Sequence, residues 1–210
     1  MTERRTPHDT KTAILRTGVI GIVRTDSADR AVELTRCLWD AGIDVVEVAL
    51  TTPQGLQAIE RLAADATGSR ILGAGTVLDA ATARVAVLSG AELLVTPTLV
   101  PGVIEVGQRY GALTIIGCST PTEMLHATTL GADLVKVFPA SLWSPKALRD
   151  VLAALPQLQC VPTGGITVNS AASWIDAGSR AVGIGSALTQ GEDPAKTVRS
   201  LLDAIRAVRP

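Results

Sequence analysis

The sequence predicts a single (β/α)8 barrel, and three observations carry that prediction. Eight short segments are nearly continuous in Val, Ile, Leu and Ala, as strands of a parallel sheet covered on both faces must be. Between them lie segments whose apolar residues recur at helical spacing. Glycines at the expected helix ends (Gly42, Gly90, Gly111, Gly131 and Gly178) fall about 20–22 residues apart or about twice that, which is the length of one βα unit. A chain of 210 residues suits one such barrel. A doubly wound open sheet is the competing architecture, because periodicity does not say whether a sheet closes.

Taken in order, residues 1–11 (MTERRTPHDTK) are polar and are expected as a flexible segment, with a short N-terminal helix before the first strand and the barrel domain over 12–210. The strands are expected at 18–24, 44–50, 70–75, 92–96, 113–117, 133–138, 159–163 and 181–185. The helix after the first strand carries Ala31, Leu34, Leu38 and Ala41 on one stripe, with Glu33, Arg36 and Asp40 falling away from it. Thr52-Pro53, Thr120-Pro121 and Ser144-Pro145 each read as a cap followed by a first-turn proline, and Thr120 with Glu123 has capping-box spacing.

Composition narrows the function. With 47% hydrophobic residues and only 2% aromatic, the core must be built from small and branched side chains. A net charge of −1 gives no general attraction to nucleic acid or to an anionic membrane, and neither partner is expected. No apolar run reaches the length of a membrane span, and the polar start lacks the apolar stretch of a secretory signal. Cys37, Cys118 and Cys160 have no metal-like spacing and read as reduced thiols of a cytoplasmic protein, while His8 and His126 are too isolated for a metal site. Trp39, Trp143 and Trp174 read as packing residues of helices or a subunit contact.

Two charges break the apolar strands. Of the four lysines, Lys11, Lys146 and Lys196 lie in segments that read as helix surface or helix start, whereas Lys136 sits in Leu134-Val135-Lys136-Val137-Phe138. A protonated amine is expensive to desolvate there, and losing the proton makes it a nucleophile toward carbonyl carbon. Glu47 is the matching anomaly in Val45-Val46-Glu47-Val48-Ala49. Alternation puts Lys136 with Leu134 and Phe138, and Glu47 with Val45 and Ala49, so both are expected to point into the barrel. A buried ion pair is the structural alternative, although such pairs contribute little net stability. An imine-forming amine beside a proton-shuttling carboxylate is the functional one.

Glycine-bearing turns follow the seventh strand (Thr163-Gly164-Gly165) and the eighth (Gly183-Ile184-Gly185-Ser186), where barrels present backbone N–H groups to phosphate. Gly73-Ala74-Gly75-Thr76 ends the third strand with small residues and a hydroxyl. Arg24 is the only charge of the first strand, and its guanidinium suits a substrate carboxylate or phosphate, or else a surface ion pair.

At these residues the chain resembles the 2-keto-3-deoxy-6-phosphogluconate (KDPG) and 2-keto-4-hydroxyglutarate (KHG) aldolases, small trimeric class I barrels. The resemblance rests on Val46-Glu47-Val48-Ala49-Leu50, Gly73-Ala74-Gly75-Thr76-Val77, Val95-Thr96-Pro97, Gly117-Cys118-Ser119-Thr120-Pro121-Thr122-Glu123, Val135-Lys136-Val137-Phe138-Pro139, Pro162-Thr163-Gly164-Gly165-Ile166 and Gly183-Ile184-Gly185-Ser186, in the family's order from about residue 12 to the end. It implies that Lys136 is the Schiff-base lysine and Glu47 the general acid and base. It implies that Thr76 and Pro97 line the pyruvate end, that Phe138 packs over it, and that Gly164, Gly165, Gly185 and Ser186 hold the phosphate. Some members carry an arginine four residues after the glutamate to grip the substrate carboxylate; here that position is Thr51, and Arg24 is expected to take over. Thr163 carries a hydroxyl where galactonate-type relatives tend to be apolar, which favours the gluconate-type substrate.

The expected activity is therefore a cofactor-free, metal-free lyase acting on a small phosphorylated keto acid and releasing pyruvate, assembled as a homotrimer. The phosphogalactonate epimer is the alternative substrate. A phosphate-binding isomerase that uses Glu47 as base without an imine, and an oligomeric barrel scaffold without physiological turnover, are the rivals from other classes.

Overall fold

The computed structural model describes residues 5–189 and 193–209. Helix α1 (Pro7–Thr17) leads into alternating elements: β1 (Val19–Val23), α2 (Ala28–Asp40), β2 (Val45–Ala49), α3 (Gly55–Leu62), β3 (Ile71–Gly75), α4 (Ala80–Leu88) and β4 (Leu93–Val95). They continue with α5 (Pro101–Tyr110), β5 (Leu113–Cys118), α6 (Pro121–Thr129), β6 (Leu134–Val137), α7 (Pro145–Ala154) and β7 (Cys160–Pro162). The chain ends with α8 (Val168–Asp176), β8 (Val182–Ile184), α9 (Ser186–Thr189) and α10 (Pro194–Ala207).

All eight expected strands form. They pair in parallel in the order β7-β6-β5-β4-β3-β2-β1-β8, and a parallel bridge between Thr163 and Gly183 joins the two ends. This is a (β/α)8 barrel, and the open doubly wound sheet is excluded. Closure has a local cause: a Cβ on Gly183 would collide with the Thr163 hydroxyl, so the last gap closes only on glycine.

Strand alternation divides the apolar residues into two cores. Ile20, Val45, Ile71, Leu93, Leu113, Ile115, Leu134 and Val161 fill the barrel interior. Val19, Val46, Val48, Leu72, Leu94, Ile116, Val135 and Val137 face outward into the layer beneath the helices. Ile14 of α1 belongs to the interior cluster, so this helix seals the N-terminal end of the barrel.

That seal corrects the expectation of a flexible segment through residue 11. Residues 1–4 lie outside the described residues, but the helix already starts at Pro7 behind a Thr6–Asp9 capping box. Arg5 pairs with Glu92 at 2.7 Å, and Lys11 Nζ donates to the Asp133 carbonyl. These contacts tether a stretch that composition alone reads as loose.

The helix punctuation is mostly as expected. Thr120 and Glu123 form the reciprocal capping box of α6, Ser144 caps α7, and the five helix-end glycines all have positive φ. The Thr52-Pro53 signal is the exception, because α3 begins two residues later behind Gln54. The Thr52 hydroxyl is engaged elsewhere, accepting the Thr25 N–H at 3.2 Å and tying the loop after β2 to the loop after β1. Among the described residues no helix is long and apolar enough to cross a membrane.

Candidate active site

Glu47 and Lys136 both point into the barrel. Their strand partners two residues earlier, Val45 and Leu134, are members of the interior cluster, and alternation carries the same face forward. Both side chains are buried, with Glu47 3% and Lys136 6% exposed. Their charged atoms do not come within the 4.0 Å of a direct ion pair, and among the described residues no acceptor lies within hydrogen-bond reach of Lys136 Nζ. A lysine fixed as a structural partner would show such a contact. Instead Nζ sits 4.9 Å from the centroid of the Phe138 ring.

Burial pushes the Glu47 carboxyl above its ordinary value of 4.5, and the positive charges of Lys136 and Arg24 pull it only part of the way back. A carboxyl held up by desolvation keeps its proton at higher pH than a solvated one, as a group that must both give and take a proton requires. Its position depends on a missing side chain. A Cβ on Gly75 would stand 2.6 Å from Glu47 Oε1, so the carboxylate lies directly over that glycine.

A cavity of about 470 Å³ opens above this pair. Arg24, Glu47, Lys136, Phe138 and Thr163 line it together with Gly164, Gly165, Gly185 and Ser186. Gly164 and Gly165 have φ of 89° and 82°, a consecutive left-handed pair that only glycine adopts without strain. Thr163 is buried, and its hydroxyl donates to the Val161 carbonyl at 3.2 Å.

Three expected residues stand outside the cavity lining. Thr51 is exposed and belongs to the turn after β2. Thr76 is half-buried with φ of 61°, a strained conformation for a β-branched residue, and its hydroxyl accepts from Arg24 Nη2 at 3.4 Å. Pro97 is half-buried, with its backbone against Gly117. Arg24 makes no ion pair among the described residues, which removes the surface-pair reading of that residue. The lining also includes Leu34, Ile22 and Thr167, which sequence reading did not single out because an apolar stripe and a helix cap carry no chemical signal.

A larger cleft of about 800 Å³ lies outside the barrel among α2, α3 and α10. Its charges are largely neutralised within the chain, by Arg61 with Asp29 and Arg36 with Asp65. It contains neither Glu47 nor Lys136.

Comparison with known proteins agrees with this arrangement. The sequence model of the KDPG and KHG aldolase family matches residues 11–200. The 2-dehydro-3-deoxy-6-phosphogalactonate aldolase of Escherichia coli (strain K12) is 34% identical over 91% of this chain and 94% of its own length. The 2-dehydro-3-deoxy-phosphogluconate aldolase of Treponema pallidum (strain Nichols) is 34% identical over 78% of each chain. A solved structure described as native KDPGal superposes with a TM-score of 0.84 at 32% identity, covering 90% of this chain and 95% of the other. The closed barrel, the inward Glu47 and Lys136 and these matches together mean that the chain belongs to the KDPG and KHG aldolase family, lyases that break a carbon–carbon bond.

Proposed function

We propose that the chain is a Schiff-base aldolase that cleaves KDPG to pyruvate and D-glyceraldehyde 3-phosphate, and also cleaves 4-hydroxy-2-oxoglutarate to pyruvate and glyoxylate. The observation that carries this is the Lys136 amine, with no ion-pair or hydrogen-bond partner among the described residues, beside the buried Glu47 and under a cavity rimmed by the two glycine turns.

Lys136 Nζ attacks the C2 carbonyl, and the carbinolamine loses water as Glu47 supplies the proton. The iminium so formed is the electron sink, so no metal or cofactor is required. Glu47 then removes the C4 hydroxyl proton, the C3–C4 bond breaks, and the aldehyde leaves. The electrons of that bond become the enamine, which takes a proton at C3. Water returns to C2, releasing pyruvate and the free amine. Phe138 packs over the keto-acid end, which Thr76 and Pro97 back from behind the cavity lining, one through Arg24 and the other through Gly117. Gly164, Gly165, Gly185 and Ser186 hold the phosphate. Arg24, braced by Thr76, grips the carboxylate in place of the solvent-facing Thr51.

Borohydride added with pyruvate should leave a stable mass on Lys136; turnover without any trapped adduct would count against the imine. The phosphogalactonate epimer is the second reading, because the Escherichia coli phosphogalactonate relative aligns over more of the chain than the Treponema one. The Thr163 hydroxyl favours the gluconate-type acid, since it donates within its own strand and keeps its acceptor lone pairs available. Pyruvate release from both epimers and from 4-hydroxy-2-oxoglutarate, measured side by side, separates the readings.

We further propose a cytoplasmic homotrimer. The three free cysteines suit a reducing compartment. Leu142, Leu88 and Leu78 stand 76%, 67% and 57% exposed, which is apolar surface that association would cover. Sedimentation equilibrium should give about three times the 21.7 kDa chain mass, and a monomer mass would reject the assembly.

A further inference from the structure

Thr96 follows β4 and is fully buried. Its hydroxyl donates to the Thr98 carbonyl at 2.6 Å and accepts the Gly117 N–H at 2.9 Å. The backbone ladder between β4 and β5 is ending here, with Thr96 N–H to the Ile115 carbonyl at 3.1 Å. Two residues further along β5, at Gly117, the side-chain hydroxyl takes the place of the next ladder acceptor. The chain after Thr96 is thereby released from the sheet and turned over Gly117.

Where it turns matters. Gly117 is on the interior face of β5 with Leu113 and Ile115, and it is the register partner of Lys136 on β6. A Cβ on Gly117 would collide with the Pro97 carbonyl group and the Thr98 nitrogen. The Pro97–Thr98 backbone therefore rests directly on Gly117, one strand spacing (about 4.8 Å) from the strand that carries the amine.

We propose that Thr96 is a positioning residue for the imine-forming step: its two hydrogen bonds hold the Pro97–Thr98 backbone against Gly117, behind the cavity lining, and this backing keeps the neighbouring strand's Lys136 Nζ set against the keto acid's C2. This rests on the aldolase reading above. Valine matches threonine in shape but leaves the Gly117 N–H and the Thr98 carbonyl without this partner, so the segment relaxes away from Gly117. Serine keeps both bonds.

The test compares wild type, Thr96→Val and Thr96→Ser for borohydride trapping of pyruvate on Lys136 across a range of pyruvate concentrations. Displacing the amine by a fraction of an ångström should raise the half-saturating pyruvate or lower the trapping rate of the valine variant by roughly tenfold or more. The serine variant should trap like wild type. Trapping by Thr96→Val at wild-type rate and concentration dependence overturns the proposal. So does a folded Thr96→Ser that traps as poorly as Thr96→Val, since packing rather than hydrogen bonding would then be responsible. If Thr96→Val does not fold, Thr96→Ser against Thr96→Ala carries the same comparison. Absence of any wild-type adduct would remove the aldolase reading itself, and this inference with it, and so is told apart from a failure specific to residue 96.

Discussion

The chemistry of this site begins with two charges that the fold does not neutralise by direct contact. Glu47 is held above its ordinary 4.5 by desolvation, against the opposing pull of Lys136 and Arg24. The folded chain therefore binds that proton more tightly than the unfolded chain. Its stabilising contribution is complete below about pH 4.5 and is lost as pH rises through the raised folded value. Glutamine cannot titrate, so the stability of wild type relative to Glu47→Gln should decline as pH rises from about 4.5 through the raised folded value, read from urea midpoints. A difference that stays flat across that window would contradict the desolvated carboxyl. Turnover of Glu47→Gln should fall by roughly 10²–10⁴, the range for a general acid–base group, and near wild-type pyruvate release would remove its role. Both charges were legible in the sequence, because one ionisable residue in an otherwise apolar strand has few innocent explanations. The glycines that shape the space around them were only partly so. Gly75 seats the Glu47 carboxylate and Gly117 admits the Pro97 backbone, and each relation joins residues of neighbouring βα units that lie far apart in sequence.

Among the elements, the strands were the most legible part, since they are buried on both faces and read as nearly continuous apolar runs. Helix starts depended on where the capping hydroxyl is used. Thr120 caps its own helix and answers Glu123 reciprocally, which places α6 where the local sequence puts it. The Gly117–Glu123 stretch is thus divided between a glycine beside the site and a cap that holds a helix. Thr52 has a similar local signature, but its hydroxyl bonds across to Thr25, and the tight turn from Ala49 to Gly55 delays α3. Nothing local to residues 52–55 announces that partner. Thr51 and Thr76 show the same limit from the site's side: both sit just past strand ends, but one turns to solvent and the other, with φ of 61°, meets Arg24. Backbone conformation at a strand exit decided between them, and residue type did not reveal it.

At the scale of the whole molecule, the end that carries Glu47 and Lys136 is open and the opposite end is sealed, and the seal is built from α1 and the segment around Arg209. Ile14 enters the interior cluster from α1 beside Ile20, Val45 and Leu113, and is completely buried. At the other extremity, Arg209 Nη1 donates to the Leu15 and Arg16 carbonyls and Nη2 to the Arg180 carbonyl, so it occupies the orphan acceptors at the C-terminal end of α1 and joins them to the β8 side. Arg5 with Glu92 and Lys11 with Asp133 add tethers near the β4 and β6 entries. The polar composition of the first residues concealed this, because Ile14, with Ala13 beside it, supplies the plug from a helix that is mostly polar. Ile14→Ala would leave an unfilled volume at the closed end that neighbouring branched side chains, fixed on strands, collapse into poorly. It should lower unfolding free energy by about 2–5 kcal/mol in urea titration. Ile14 is at the end of the barrel opposite Lys136, so the variant assayed well below its melting temperature should trap pyruvate on Lys136 at the wild-type rate. A loss of stability within about 0.5 kcal/mol would mean that α1 is a surface appendage. A loss of trapping in the folded variant would mean that the interior layers transmit packing changes from one end of the barrel to the other.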